Sequence, residues 1–162
     1  MITQKFAFIV VILIAIFIIA CGSKSVEPIL KKGNEYANKG QYDLAIAEYS
    51  KAIEMNPKSE MAFLKRGDAY VGKWDYGLAI KDYSMAIEIN PRFASAYIAR
   101  GRAYGTLGQY DRALADINKA KEINPSLSNW LQYLIDQINA RKKEDNSNKQ
   151  PHAIPQYVTP SK

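Results

Sequence analysis

The chain contains one cysteine and one histidine among its 162 residues, and this scarcity excludes several kinds of site. Cys21 has no second cysteine with which to form an internal disulfide or a thiolate metal site. His152 lies near the other end of the chain, so both zinc binding and Cys/His nucleophilic catalysis lack a necessary side chain. A glycine-rich phosphate loop is also missing. We therefore predict no enzymatic activity, metal site, cofactor or small-molecule substrate.

The excess of positive charge is small, since 22 Lys and Arg face 16 Asp and Glu for a formal net charge of +6. Acidic and basic residues are interleaved, and part of the excess falls at Arg141, Lys142 and Lys143. A nucleic-acid-binding protein would carry a basic stripe with interleaved aromatic residues, or a recognisable motif. The sequence shows neither, so we predict no nucleic-acid partner.

The start of the chain has the pattern of a targeting segment. Met1–Lys5 is short and positively charged, and Phe6–Ala20 contains no polar residue. A charged start, an apolar run and small residues after it describe a secretory signal peptide, here over residues 1–20. The run is a little short for a membrane-spanning helix, which needs about 20 apolar residues.

The four residues Ile18-Ile19-Ala20-Cys21 resemble the bacterial lipobox, in which the cysteine is lipidated and the segment before it is removed. The resemblance implies a lipid-anchored protein on the extracytoplasmic side of a bacterial membrane. Because Gly22 rather than Asp follows Cys21, it implies the outer membrane if the bacterium is Gram-negative. Two alternatives remain: an uncleaved membrane anchor, or an ordinary signal peptide beside an incidental cysteine.

An internal repeat follows, marked by Asn-Pro pairs that recur at a constant interval of 34 residues. Other residues recur in the same register, and in the third copy Ile117 stands where the first two have Tyr49 and Tyr83. The recurrent positions are Gly33, Gly67 and Gly101; Tyr36, Tyr70 and Tyr104; Ala45, Ala79 and Ala113; Ala52, Ala86 and Ala120; and Pro57, Pro91 and Pro125.

This pattern resembles the tetratricopeptide repeat, a helix-turn-helix unit of 34 residues, over about Val26 to Pro125. The family's first aromatic position is occupied by Phe63 and Tyr97 in the later copies and by Ile29 in the first. The resemblance implies an all-α fold, a right-handed α-solenoid of three repeats with a C-terminal capping helix. We predict helices over 27–39, 42–55, 60–73, 76–89, 94–107 and 110–123.

The recurrent residue types have physical reasons. Glycine within a helix costs about 1 kcal/mol relative to alanine, so its recurrence indicates a close contact. We predict that each glycine lets the first helix of its repeat approach the second at Ala45, Ala79 or Ala113, with the tyrosines filling the space alongside. Asn-Pro ends the second helix, because the residue before proline is disfavoured in the helical conformation.

A seventh helix is predicted after the third repeat. Its apolar residues lie on one face at helical spacing: Leu127, Trp130, Leu131, Leu134, Ile135 and Ile138. A solenoid needs a terminal cap with a polar outer side, which this helix would supply. The predicted organisation is a linker over 21–26, the repeats and capping helix over 26–143, and a disordered, polar tail over 144–162.

In tetratricopeptide repeat proteins the first helices of the repeats line a concave face that binds partner peptides or helices. The resemblance therefore implies a groove with an aliphatic row and a polar row. The aliphatic row would either contact the partner or pack in the core against the next first helix. The groove residues would be Leu30, Asn34, Leu64, Asp68, Ile98 and Arg102.

The carboxylate clamp of chaperone-adaptor repeats is not expected in this groove. Of its five positions only Asn34 fits, and the other four hold Leu30, Lys65, Ser95 and Ala99.

Two further features, the recurrent charges and Trp74, have two interpretations each. One set of bases recurs at Lys32, Arg66 and Arg100, and one set of acids at Glu48, Asp82 and Asp116. The bases form either a basic strip for an acidic partner or ion pairs between helices with these acids. The matched signs favour ion pairs. Trp74 stands on a turn where the neighbouring repeats have Gly40 and Gly108, and is either an exposed contact residue or a packing plug.

The hypothesis that unites these features is a lipid-anchored adaptor or scaffold of the bacterial envelope. It would bind a partner protein or peptide on its concave face and the membrane through Cys21. The alternatives are a self-associating structural protein and a scaffold held by an uncleaved N-terminal anchor.

Overall fold

The computed structural model describes residues 25–149, and in this range the chain forms seven α-helices and no strand. A single 3-10 turn, Pro125–Leu127, precedes the last helix. The signal segment, Cys21 and the tail beyond residue 149 lie outside the described residues. The helices are α1 (Glu27–Asn38), α2 (Tyr42–Met55), α3 (Glu60–Gly72), α4 (Tyr76–Ile89), α5 (Ala94–Thr106), α6 (Tyr110–Ile123) and α7 (Ser128–Lys149).

The six repeat helices confirm the predicted pattern, and three of them end one residue earlier than expected. The second helices end where predicted, and the Asn-Pro turns show why. The side chains of Asn56 and Asn90 accept hydrogen bonds of 3.1 Å from the backbone N–H groups of Lys58 and Arg92, which closes the turn after each second helix. Ser59 then caps α3 by accepting from the N–H of Ala62 at 3.3 Å.

Each helix packs against the next one along the chain, and the first helices also contact one another, α1 with α3 and α3 with α5. The result is an α-solenoid of three helix pairs closed by α7, as predicted. No helix within residues 25–149 is both long enough and apolar enough to cross a membrane.

The recurrent glycines make room for an aromatic ring. A Cβ atom on Gly33 would lie 2.4 Å from the ring of Tyr49, and one on Gly67 would lie 2.5 Å from the ring of Tyr83. The side chain nearest to each of these two glycines is therefore the tyrosine, not the predicted Ala45 or Ala79. In the third repeat the smaller Ile117 leaves Gly101 close to both Ile117 and the backbone oxygen of Ala113.

Small buried residues form the core between the paired helices. The recurrent alanines are completely buried, and each repeat builds its apolar cluster around two of them: Ala45 and Ala52, Ala79 and Ala86, Ala113 and Ala120. In the third cluster, α7 contributes Leu131, Ile135 and Ile138, as predicted for a cap. Trp130 does not join them and is 48 % exposed, which corrects its placement on the buried face.

The capping helix is longer than predicted. It was expected to end at residue 143, but it continues to Lys149, so Arg141 to Lys143 lie inside it. Two polar contacts hold its second half against α6. The Tyr110 hydroxyl donates a hydrogen bond to Asp145, and Lys142 forms an ion pair with Asp111.

Candidate functional site

Three open cavities form a row along one face of the solenoid. The first lies between α1 and α3, the second between α3 and α5, and the third between α5 and α7, with volumes of about 450, 330 and 360 Å³. Asp68 lines both the first and the second, and Arg102 and Thr106 line both the second and the third. These shared residues make the row continuous, and we call it the groove.

Each cavity also holds one tyrosine from the start of a second helix. Tyr42 lines the first cavity, Tyr76 the second and Tyr110 the third, and all three side chains are half-buried. The sequence shows their recurrence, but a partner-facing position was not predicted for them. The signal that could have found them is their shared place at the first residue of α2, α4 and α6.

The polar row of the predicted site lies in the groove. Asn34 lines the first cavity, Asp68 the first and second, and Arg102 the second and third. Their role in binding a partner stays a prediction.

The aliphatic row of the predicted site belongs to the core. Leu30 and Leu64 are each only 7 % exposed, and Ile98 is half-buried against the third cluster. Leu30 packs in one cluster with Ala62 and Ala69 of α3, and Leu64 in another with Ala96 and Ala103 of α5. The interpretation that this row faces a ligand is thus wrong for Leu30 and Leu64, because the next first helix covers them.

In the first two repeats a buried tyrosine is hydrogen-bonded to the groove. Tyr49 donates to Asn34 Oδ1 at 2.7 Å, and Tyr83 donates to Asp68 Oδ1 at 2.9 Å. Burial, and secondarily the charge of Asp68, raises the pKa of Tyr49 to about 12, and the same two causes raise the pKa of Tyr83. Both hydroxyls therefore stay protonated and act as donors. The third repeat has no such bond, since Ile117 carries no hydroxyl.

The charge of the groove changes along its length. The first cavity contains Lys65 and Asp68, whose charged atoms are 3.9 Å apart. The second contains Asp68 and Arg102, and the third contains Arg102 and Arg141. Among residues 25–149, no carboxylate forms an ion pair with Arg102 or Arg141. The groove is thus balanced at the α1 end and positive at the α7 end.

The recurrent acids and bases pair with each other, as the matched signs predicted. Lys32 Nζ lies 3.0 Å from Glu48, Arg66 Nε 2.7 Å from Asp82, and Arg100 Nε 2.8 Å from Asp116.

Arg66 and Arg100 also contact the previous repeat, where they donate hydrogen bonds to Ser50 and Ser84 respectively. This row therefore joins helices and is not a free basic strip.

Trp74 is exposed and conformationally strained. Its side chain is 77 % exposed, and its φ of 65° lies in the left-handed region. Gly40 and Gly108 occupy the equivalent turns with a φ of 71°. The interpretation of Trp74 as a packing plug is wrong, because the side chain is exposed. Its one aromatic neighbour among the described residues is Tyr76, edge-on at 6.3 Å.

Comparison with protein families identifies the repeats. Residues 33–73 match a family model described as TPR repeat, and residues 94–127 match one described as tetratricopeptide repeat. A comparison with curated proteins finds no significant match.

Solved structures of the same fold cover most of the chain. The first TPR of Spaghetti (RPAP3) bound to the HSP90 peptide SRMEEVD is 26 % identical, with a TM-score of 0.69, covering 74 % of this chain and 94 % of that one. The TPR2B domain of yeast Sti1 in its Hsp70 complex is 26 % identical, with a TM-score of 0.66, covering 74 % and 97 %. The Sgt2 TPR domain from Aspergillus fumigatus is 20 % identical, with a TM-score of 0.73, covering 83 % and 90 %.

Both the repeat register and these neighbours lead to the same conclusion. Residues 33–73 and 94–127 are tetratricopeptide repeats, and the chain folds over residues 25–149 as an all-α solenoid similar to these TPR domains.

Proposed function

We propose that this protein is a lipid-anchored interaction module of the bacterial envelope that binds an extended segment of a partner protein in its groove. The observation that carries the proposal is the continuity of the three cavities, which share Asp68, Arg102 and Thr106. A preformed groove of this kind can hold a ligand without reorganising, which lowers the entropic cost of binding.

The repeat spacing suits an extended chain. Neighbouring helices pack about 8–10 Å apart, and an extended peptide advances about 3.3 Å per residue. Residues three apart in such a peptide therefore meet successive cavities, and about seven residues span the groove. At each cavity a tyrosine offers an apolar ring and a hydroxyl group, a combination that is frequent in binding surfaces.

Structural neighbours support the peptide-binding part of the proposal. One is bound to an HSP90 peptide and another is in a complex with Hsp70. For this chain we infer the same class of partner, a protein or peptide segment, without its identity. The proposal assigns no catalytic step to the groove.

The groove is tested by filling it. Asn38→Trp and Thr106→Trp change exposed side chains that line the first cavity and the last two cavities. The matched control places the same two tryptophans at Ala47 and Ala115, which are exposed on second helices and line none of the three cavities. Cell envelopes containing each variant are cross-linked, and the captured proteins are identified by mass spectrometry.

We expect a partner that is captured by the wild type and by the control variant but not by the groove-filling variant. Circular dichroism must show the same helix content in all three. Capture of the same proteins by the groove-filling variant would show that the groove is not the binding site.

The anchoring part of the proposal rests on the lipobox resemblance of Ile18 to Cys21. Because α1 begins at Glu27, only a few residues would separate the lipid from the solenoid, keeping the groove near the membrane at a high effective concentration. A single acyl chain gives reversible binding, so the lipoprotein form with several chains is the one that anchors stably.

Metabolic labelling with radioactive palmitate tests this part. The wild type should incorporate label and lose residues 1–20 in the cell, whereas Cys21→Ser should do neither. When residues 1–20 of the variant are removed with an added protease, the remaining protein should leave the detergent phase. Mass spectrometry that finds residues 1–20 retained in the mature wild type would instead support an uncleaved anchor.

A further inference from the structure

The third cavity differs from the other two in the sign of its charge. The first and second cavities both include the carboxylate of Asp68, whereas the third has two guanidinium groups and no acidic side chain in its lining. Its apolar wall is formed by Leu134 and Ile138 of α7. An apolar pocket with two like charges favours a ligand that brings the opposite charge.

The guanidinium group of Arg102 is available to bind a ligand because the third repeat departs from the pattern of the first two. At the positions of Asn34 and Asp68, each of which accepts a hydrogen bond from a buried tyrosine, the third repeat has Arg102 opposite Ile117. No side-chain hydrogen bond of the Arg102 guanidinium is formed within the described residues. This side chain is exposed and lies where the second and third cavities meet.

Arg141 is available to bind a ligand because no acid near it is paired with it in the part of the chain that the structure describes. It lies on α7, one turn beyond Ile138 and two turns beyond Leu134, so the three side chains share a helix face. Of the acids near it, Asp145 accepts the Tyr110 hydroxyl and Asp111 of α6 is paired with Lys142. Glu144, one turn beyond Arg141 on α7, forms no ion pair with it within residues 25–149.

We propose that the third cavity is an anion subsite, which receives the carboxylate of an aspartate or glutamate side chain of the bound partner between Arg102 and Arg141. The inference rests on the proposed peptide-binding function and names the chemistry of its ligand. An apolar residue beside that acid packs on Leu134 and Ile138. The guanidinium group suits this task, since its planar fork matches the two oxygens of a carboxylate.

The occupant in this proposal is an acidic segment of another protein. No Asp or Glu occurs after Asp145, so residues 146–162 have no acidic side chain to place in the cavity. The subsite also orients the partner, with its acidic residue at the α7 end and its uncharged residues toward Asn34 in the first cavity.

The test uses the full-length chain in detergent micelles and two fluorescent octapeptides with blocked ends. One alternates Glu and Leu, and the other has Gln in place of every Glu, so that only the charge differs. Binding is measured by fluorescence anisotropy. The double variant Arg102→Gln and Arg141→Gln removes the subsite, and the control Lys58→Gln and Arg92→Gln removes two exposed cationic side chains on the Asn-Pro turns, outside the groove.

We expect the wild type and the control variant to bind the Glu peptide about tenfold or more tightly than the Gln peptide, as a charged hydrogen bond would give. In the Arg102 and Arg141 variant this preference should disappear while binding of the Gln peptide is retained. Unchanged thermal unfolding checks the fold, and Arg141→Lys alone should keep part of the preference because it keeps the charge.

The inference is overturned if the wild type binds both peptides equally, or if the preference survives in the double arginine variant. Equal binding that is lost on filling the groove with Asn38→Trp and Thr106→Trp overturns the inference alone and leaves the proposed function standing. If the wild type binds neither peptide and captures no partner from envelopes, both fail.

Discussion

Arg66 holds Asp82 through two parallel hydrogen bonds, from Nε to Oδ2 at 2.7 Å and from Nη2 to Oδ1 at 2.8 Å. The pair links α3 to α4, and Asp82 is only 5 % exposed. Arg66→Ala would leave this carboxylate buried without its cation, which costs about 3 kcal/mol for a pair of this kind. Urea unfolding of the purified chain, followed by circular dichroism, should show a loss of that size.

The equivalent pair of the first repeat is the control. Lys32 is more exposed than Arg66, and its partner Glu48 also accepts from Lys51 at 2.9 Å. Lys32→Ala should therefore destabilise the chain far less than Arg66→Ala. Equal losses for the two variants would contradict the view that the bidentate, buried geometry at Asp82 sets the energy.

Gly67 is predicted to be intolerant of even one added methyl group. A Cβ there would lie 2.5 Å from the Tyr83 ring, which is buried and bonded to Asp68. Overpacking of this kind costs about 1–3 kcal/mol, more than the gain of about 1 kcal/mol in helix propensity. Gly67→Ala should thus lower the free energy of unfolding measured in urea.

Gly77 provides the matched substitution, because nothing lies within 4 Å of a Cβ placed there. It is also within a helix, α4, so Gly77→Ala gains propensity without a clash and should stabilise by about 0.5 kcal/mol. The two changes should have opposite signs. If Gly67→Ala is also stabilising, the contact between the glycine and the tyrosine ring is looser than the structure shows.

The carboxyl group of Glu48 makes the stability of the fold depend on pH. Hydrogen bonds from Lys51 and then from Lys32 lower the pKa of Glu48 below its ordinary value of 4.5. A carboxyl group whose pKa is lower in the folded state stabilises it above the unfolded pKa, and this contribution is lost as the pH falls through the folded pKa. The stability of the wild type should therefore drop as the pH is lowered from about 5 to 3.

The comparison with Glu48→Gln isolates this effect from those of the other carboxylates. The variant keeps the shape of the side chain but has no proton to gain, so its unfolding free energy should fall less over the same pH range. The difference between the two curves is the measured quantity. An ordinary carboxyl pKa places the titration at about pH 5 to pH 3. If the difference in unfolding free energy between the wild type and Glu48→Gln stays constant over this range, the pKa of Glu48 is not lowered.

The repeat helices could be predicted because their signals are local. Proline, asparagine and glycine mark the turns at a fixed interval, and the structure shows the asparagine side chains closing them. The extension of α7 to Lys149 could not be predicted in this way. Residues 144–149 have no apolar periodicity, and the helix is held there by the polar contact between Tyr110 and Asp145.

The groove was predicted in part, for a geometric reason. Repeat register places Asn34, Asp68 and Arg102 on one face, but it does not say how far the next helix covers Leu30 and Leu64. That depends on the small alanines of the neighbouring helix, which let it approach closely. Arg141 was missed because α7 does not carry the 34-residue pattern.

Trp74→Gly is predicted to stabilise the fold although it removes a large side chain. At a φ of 65° a residue with a Cβ atom is strained by about 1–2 kcal/mol, a cost that glycine does not bear. The indole returns little of this, since it is 77 % exposed and touches Tyr76 only edge-on. A rise of about 1 kcal/mol in the free energy of unfolding is expected in urea.

Gly108→Ala is the reverse experiment at the equivalent turn of the next repeat. Its φ is 71°, and nothing lies within 4 Å of an added Cβ, so the change introduces backbone strain without a clash. It should destabilise by about 1 kcal/mol. Opposite and similar shifts at the two turns would show that Trp74 is retained at a cost in stability. A loss of stability in Trp74→Gly would show instead that the indole contributes more to the fold than its exposure suggests.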